Sequence, residues 1–287
     1  MAHWDFPGSE PIDAFIDLAA GRVALTAQPT DVTTVELTAS WPGRSERLAS
    51  DVKVSFDGGR LEITGPRRSG LWRGHTGLDL AVTLPAGSRC MVRGASADLT
   101  CTGEVAELDA HTASGDVTAA IITGHAEIQT ASGDVRLEEA GAGADVRTAG
   151  GDIRLARAGG GVQVRTASGD VNVGSAASSA AVVTSSGDVR LASVSAGRTD
   201  VQTVSGDIVV GVAEGVGVYL DLASVTGSMT SQLEETAASD DVPLEVKCRA
   251  VSGDIRIARA SGADSRPGRS FPTLPTVNTS NTPPPAN

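Results

Sequence analysis

The chain has 287 residues, 34 of them glycine, with 3% aromatic and 20% charged residues and a formal net charge of −12. So few aromatics among so much Val, Ala, Gly and Ser exclude one thick globular core and suit thin repetitive coils, while the acidic balance excludes nucleic acid and anionic membranes as electrostatic partners. Neither a signal-like leader nor an 18-residue apolar span is found, so a cytoplasmic protein without a membrane span is expected.

Residues 1–11 read as an N-terminal arm whose Trp4 and Phe6 are expected to cover the first coil of the chain. Residues 12–88 alternate apolar and polar positions in short runs, among them Phe15-Ile16-Asp17-Leu18, Arg22-Val23-Ala24-Leu25 and Val35-Glu36-Leu37. These are strands by their period of two. Asp57-Gly58-Gly59 is a hairpin turn or a corner. Gly21, Gly59 and position 97 lie two steps of 38 apart, which predicts a β-rich cap continuous with the downstream stack, built from widened coils. Pro66–Gly74 is a basic loop carrying Trp72.

From 89 to 260 one phrase returns. Thr-Ala-Ser-Gly-Asp-Val stands at 112–117, 130–135 and 166–171, with close variants at 148–153, 184–189, 203–208 and 250–255. Its glycines are Gly115, Gly133, Gly151, Gly169 and Gly187, 18 residues apart, then Gly206 and Gly253. Worn copies occupy Ser96–Leu99 and Val225–Ser228. A period this short signals stacked supersecondary units. Each unit reads as strand, corner, strand, corner, the glycine serving a sharp turn that demands positive φ.

Aligned copies place Val117, Val135, Ile153, Val171 and Val189 in one column and Ile128, Val146, Val164 and Val182 in another. Parallel coils about 4.8 Å apart put such like residues in contact, whereas a meander gives no reason for column identity. The predicted fold is therefore all-β, a single-chain parallel β-solenoid (β-helix) with 18-residue coils and an irregular β N-terminal cap. Glu234–Asp241 is expected to bulge from the last coil as an acidic loop, and the Pro/Ser/Thr-rich residues 261–287 to form a disordered tail.

The run of Ser-Gly-Asp-Val/Ile corners with Val/Leu alternation resembles the bacterial putative-adhesin domain family of β-strand-repeat proteins, a domain of unknown function, over about residues 12–257. The resemblance implies a β-solenoid, a bacterial source and an adhesin-like role.

The chemistry of the chain is sparse. The aspartates after the corner glycines, chiefly Asp116, Asp134, Asp152, Asp170 and Asp188, line up as an outward ladder. Rows of oxygen ligands can bind calcium, but one carboxylate per 18 residues suits a side chain bonded to corner backbone, its charge offset by Arg136, Arg154, Arg190 and Arg256. Structural corners are thus expected and no metal site. Cys90, Cys101 and Cys248 fall on inward columns and read as small buried hydrophobes. His3, His75, His111 and His125 show no ligand spacing, no catalytic set is present, and no cofactor is expected. The expected function is a non-catalytic structural or interaction protein that binds a protein partner or itself. The alternatives are an end-to-end self-assembling scaffold, like cytoskeletal β-helices, joined through the coil near Asp254–Ala258, and a carbohydrate-binding or carbohydrate-cleaving β-helix.

Overall fold

In the computed structural model of the chain the described residues are 2–39, 51–66, 77–233 and 244–260. The basic loop from Arg67, the acidic segment Glu234–Asp241 and the tail 261–287 lie outside them. Among the described residues there are 23 strands in one hydrogen-bonded sheet system. No helix there is long and apolar enough to cross a membrane.

The N-terminal strands are β1 (Ala2–Pro7), β2 (Asp13–Gln28), β3 (Val32–Ala39), β4 (Lys53–Asp57), β5 (Arg60–Thr64), β6 (Leu78–Pro85) and β7 (Arg89–Val105). The repeats supply β8 (Glu107–His111), β9 (Val117–Ile122), β10 (His125–Gln129), β11 (Val135–Ala140), β12 (Gly143–Arg147), β13 (Ile153–Ala158), β14 (Gly161–Arg165) and β15 (Val171–Ala176). They continue with β16 (Ala180–Val183), β17 (Val189–Val194), β18 (Gly197–Ser205) and β19 (Ile208–Val212). Last come β20 (Val218–Thr226), β21 (Met229–Ser231), β22 (Leu244–Ser252) and β23 (Ile255–Arg259).

The even strands β8 to β18 stack in parallel as one face and the odd strands β9 to β19 as the other, each residue over its equivalent 18 positions away through most of the array. Ile153 pairs with Val135 below and Val171 above. All three are buried, as are Ile128, Val146, Val164 and Val182 on the facing sheet. The alternation of the sequence thus becomes a dry tube between two parallel sheets. Each fully buried valine or isoleucine contributes about 2 kcal/mol. The chain is an all-β parallel β-solenoid.

Coil order departs from chain order at both ends. β2 lies between the coil of β5 and β6 on one side and β7 on the other, all in parallel. The chain lays its second rung first, crosses out to the end rung, then returns to β7. At the other end β18 and β19 pair with β22 and β23, and the intervening β20 and β21 stack beyond them. The expected equivalence of Gly21, Gly59 and position 97 holds only in part. Gly21 does pair with Ala97. Gly59, however, sits in a tight antiparallel hairpin between β4 and β5, where Gly58 and Gly59 have φ of 54° and 78°. Such a two-residue turn needs positive φ at both positions, which is why two glycines occur there. The expected terminal contact near Asp254–Ala258 is likewise corrected: β23 lies between β19 and β21, and among the described residues β20 and β21 form the end.

The two ends are finished differently. Beyond the first rung, β4 adds antiparallel to β5 on one face, and β3 then β1 add antiparallel to β6 on the other. Phe6 of β1 stacks on Phe56 of β4 with ring centroids 5.0 Å apart, and Trp4 packs with them against the core. At the opposite end Val218, Leu220 and Leu222 of β20 remain partly buried.

Candidate functional site

The repeated corner is the most ordered chemical feature of the surface, and its geometry shows how the coils are joined. Asp134 Oδ1 accepts the backbone N–H of Asp152 at 2.9 Å, and Asp152 Oδ1 accepts that of Asp170 at 3.1 Å. The same bond runs from Asp98 through Asp116 below and through Asp188, Asp207 and Asp254 above, ending on the N–H of Ser228. Every aspartate therefore clips its own coil to the next one. Asp134 also pairs with Arg136 at 2.8 Å and Asp152 with Arg154 at 3.2 Å. Among the described residues no group of three or more His, Cys, Asp or Glu is gathered for a metal ion.

Threonine and glycine set two versions of the corner. At Gly115 and Gly133 the glycine N–H donates to Oγ1 of Thr112 and Thr130. At the next three corners the threonine hydroxyl instead donates to the carbonyl of the residue before the glycine, as Thr166 does to Ser168 at 2.7 Å. Gly151, Gly169 and Gly187 then have positive φ, whereas Gly115 and Gly133 do not. The expectation of positive φ at every corner is corrected for those two. Their side chain is excluded by proximity: a Cβ on Gly133 would overlap the Gly115 carbonyl, 2.6 Å from its carbon. The corner changes form at Ala149-Gly150-Gly151, the copy with a second glycine.

The hydrogen bond from the Asp152 N–H, followed by the Arg136 contact, holds the Asp134 carboxyl below its ordinary value of 3.8. Asp254, bonded by Ser228, and Asp13, held by Arg89, are lowered too. A carboxylate with depressed folded pKa binds its proton less readily folded than unfolded. Its contribution is complete above the unfolded value and disappears as pH falls through the folded one. Stability is thus expected to drop below about pH 4. Asp134→Asn, which keeps the acceptor oxygen but not the charge, should show a shallower acid slope in melts followed by circular dichroism. Asp134→Ala should in addition lose about 1 kcal/mol at neutral pH. Identical acid slopes in all three proteins would contradict this account.

The cysteines are free and buried. Burial pushes the Cys101 and Cys248 thiols up to about 12, and Cys90 higher still. A thiol held protonated is a poor nucleophile and a poor ligand. The histidines are separated: His3 contacts Asp5 at 2.8 Å, His111 contacts Asp109 at 2.7 Å, His125 stands on β10, and His75 lies outside the described residues.

The outer face of the sheet running through β2, β7, β8, β10 and β12 carries an acidic column, Asp109, Glu127 and Asp145, beside a column containing His111, Gln129 and Arg147. Sequence reasoning passed over it, although the 18-residue spacing of 109, 127 and 145 carries the signal. Arg147 bridges coils, 2.8 Å from Asp145 and 3.7 Å from Glu127. Near the N-terminal end this face forms a shallow groove of about 550 Å³ beside Asp13, Phe15, Arg60 and Met91. There Arg89 grips Asp13 with two hydrogen bonds of 2.7 and 3.1 Å, and Arg93 lies 5.7 Å from the Phe15 ring centre. The groove is open to solvent and lined by paired charges, Arg89 with Asp13 among them.

The chain is similar to solved structures named as a putative adhesin from Bacteroides fragilis NCTC 9343 (12% identity, 89% of this chain and 96% of that one, TM-score 0.47) and a putative lipid binding protein from Parabacteroides distasonis ATCC 8503 (11%, 89% and 96%, TM-score 0.42). No curated protein matches it. Residues 15–266, nearly the whole solenoid with its cap, match a single family. By that match, and with a parallel β-helix to go with it, the chain belongs to the Toastrack DUF4097 family.

Proposed function

We propose that the protein is a non-catalytic interaction scaffold whose outer sheet faces dock a protein partner. The observation that carries this reading is repetition: carboxylates and guanidinium groups recur coil after coil, and pair between coils, as Arg157 does with Glu139 at 2.8 Å. Catalysis singles out one position, whereas here each corner carboxylate is engaged by the backbone of its neighbour. A carbohydrate groove calls for exposed aromatic platforms. Trp4, Phe6 and Phe56 are instead packed in the cap, and the outward Phe15 and Tyr219 stand at opposite ends of the stack, too far apart to form one platform. Buried free thiols fit a reducing compartment.

The test uses the full chain immobilised as bait in an extract of its host. Arg93 and Arg165 share an outward column of one face, through His111, Gln129 and Arg147. Arg93→Glu with Arg165→Glu is expected to weaken capture of the wild-type partner about tenfold or more, with an unchanged circular dichroism spectrum. Equal capture by both proteins would remove that face as the docking surface.

A further inference from the structure

The C-terminal end of the solenoid is built unlike the other. Among the described residues β20 pairs only with β22 and β21 only with β23, so both strands of the last coil present an open hydrogen-bonding edge. Native sheets blunt such edges with lysine, proline or inward charge. The N-terminal edge strands follow that practice, with His3, Asp5 and Pro7 on β1 and Lys53 and Asp57 on β4. The final coil does not: Asp221 is the single charge of β20 and β21, and Lys247 and Arg249 of the neighbouring strand lie 3.7 and 3.5 Å from it. Exposed apolar side chains gather at the same end. Tyr219 is 60% and Val225 75% exposed, and Val225 continues a ridge through Val251 and Val204 of the preceding coils.

We propose that this end pairs with the same end of a second copy, the two β20 strands running antiparallel about a two-fold axis through Leu222. The strand is self-complementary in that register. Its midpoint is Leu222, so all nine residues find partners. Tyr219 falls opposite Val225, joining the two most exposed large apolar side chains of the strand as an aromatic and β-branched pair. Asp221 falls opposite Ala223, which keeps the two carboxylates from facing each other. The same axis brings β21 against its own copy and covers Leu220 and Leu222, closing the tube. A two-fold contact also closes on itself, whereas head-to-tail stacking would produce filaments and would have to use the charged N-terminal edge.

The inference adds a partner to the scaffold reading, yet its test reads only mass and protection. A monomer would remove the dimer and leave the docking faces untouched. Full-length protein is expected to sediment at twice the chain mass at concentrations up to about 100 µM. Tyr219→Lys with Val225→Lys sets lysines opposite each other and should weaken dimerisation about tenfold or more. Tyr219→Lys with Val225→Glu sets Lys against Glu in this register alone and should restore the dimer. Both positions point to solvent, so folding is preserved and circular dichroism will check it. A monomeric wild type overturns the proposal, and hydrogen-exchange protection of β20 in that monomer would mean that another part of the chain covers the edge. A dimer indifferent to the double lysine, or not restored by the Lys/Glu pair, overturns it as well.

Discussion

Gly133→Ala is expected to destabilise the solenoid by about 3 kcal/mol or more, lowering the melting midpoint by about 10 °C. The added carbon would meet backbone, the Gly115 carbonyl and, at 3.1 Å, Oγ1 of Thr130, so no flexible side chain can swing away. Relief requires the coils to separate at the corner. That separation would stretch the bond from the Asp134 N–H to Asp116, 2.9 Å in the native stack, and displace Val135 from its column. Gly169→Ala faces a similar contact, 2.8 Å from the Gly151 carbonyl carbon, and a φ of 111° that side chains resist. The control is one residue before a corner glycine. Gly150→Ser places its Cβ in open space without positive φ, in a column where Ser132 and Ser168 already stand. It should leave the midpoint within about 2 °C, since limiting the unfolded chain offsets small losses. Equal midpoints for Gly133→Ala and Gly150→Ser in thermal melts would sink the close-approach explanation.

The interior of the stack is legible in the sequence because each inward residue touches a copy of itself. Column identity between Val135, Ile153 and Val171 is the contact map of that region. The ends are illegible for the same reason. A Ser-Gly-Asp corner fits over any other, so alternation fixes which way Leu220 or Val23 points but leaves open which coil lies beside it. Val225–Ser228 falls between two corners in sequence and outside both in space, with the Ser228 N–H on Asp254. The 38-residue steps caught the true equivalence of Gly21 and Ala97 along with a coincidental Gly59. The corner aspartates stand out as a column in the sequence. Their bonding partner does not, since an N–H one coil away is a relation between repeats and leaves no mark within either.

Interchangeable interiors and fixed ends make deletions informative. Removing residues 143–160, one full period, joins Ala142 to Gly161, the residue paired with Gly143 in the native register. β14 then takes the place of β12 beside β10, β15 takes that of β13 beside β11, and Asp134 can clip Asp170. Each coil contacts only its neighbours, so the loss is that of one stacking interface. A cooperative melt with the midpoint lowered by about 5 °C or less is expected. Removing residues 143–151 deletes half as much chain and should do far more harm. It joins Ala142 directly to Asp152, so β13 would have to occupy the face of β12, and every later Ser-Gly-Asp corner would fall on the opposite edge of the tube. There the first of them, at Gly169, would stack on the Ala-Gly corner at Gly141-Ala142, and the Asp152 N–H would be carried off the Asp134 carboxylate. The shorter deletion should lower the midpoint by about 20 °C or abolish the cooperative transition. If the nine-residue deletion melts as high as the eighteen-residue one, the corners do not set the phase of the coils, and the aspartate clips are incidental to the stack.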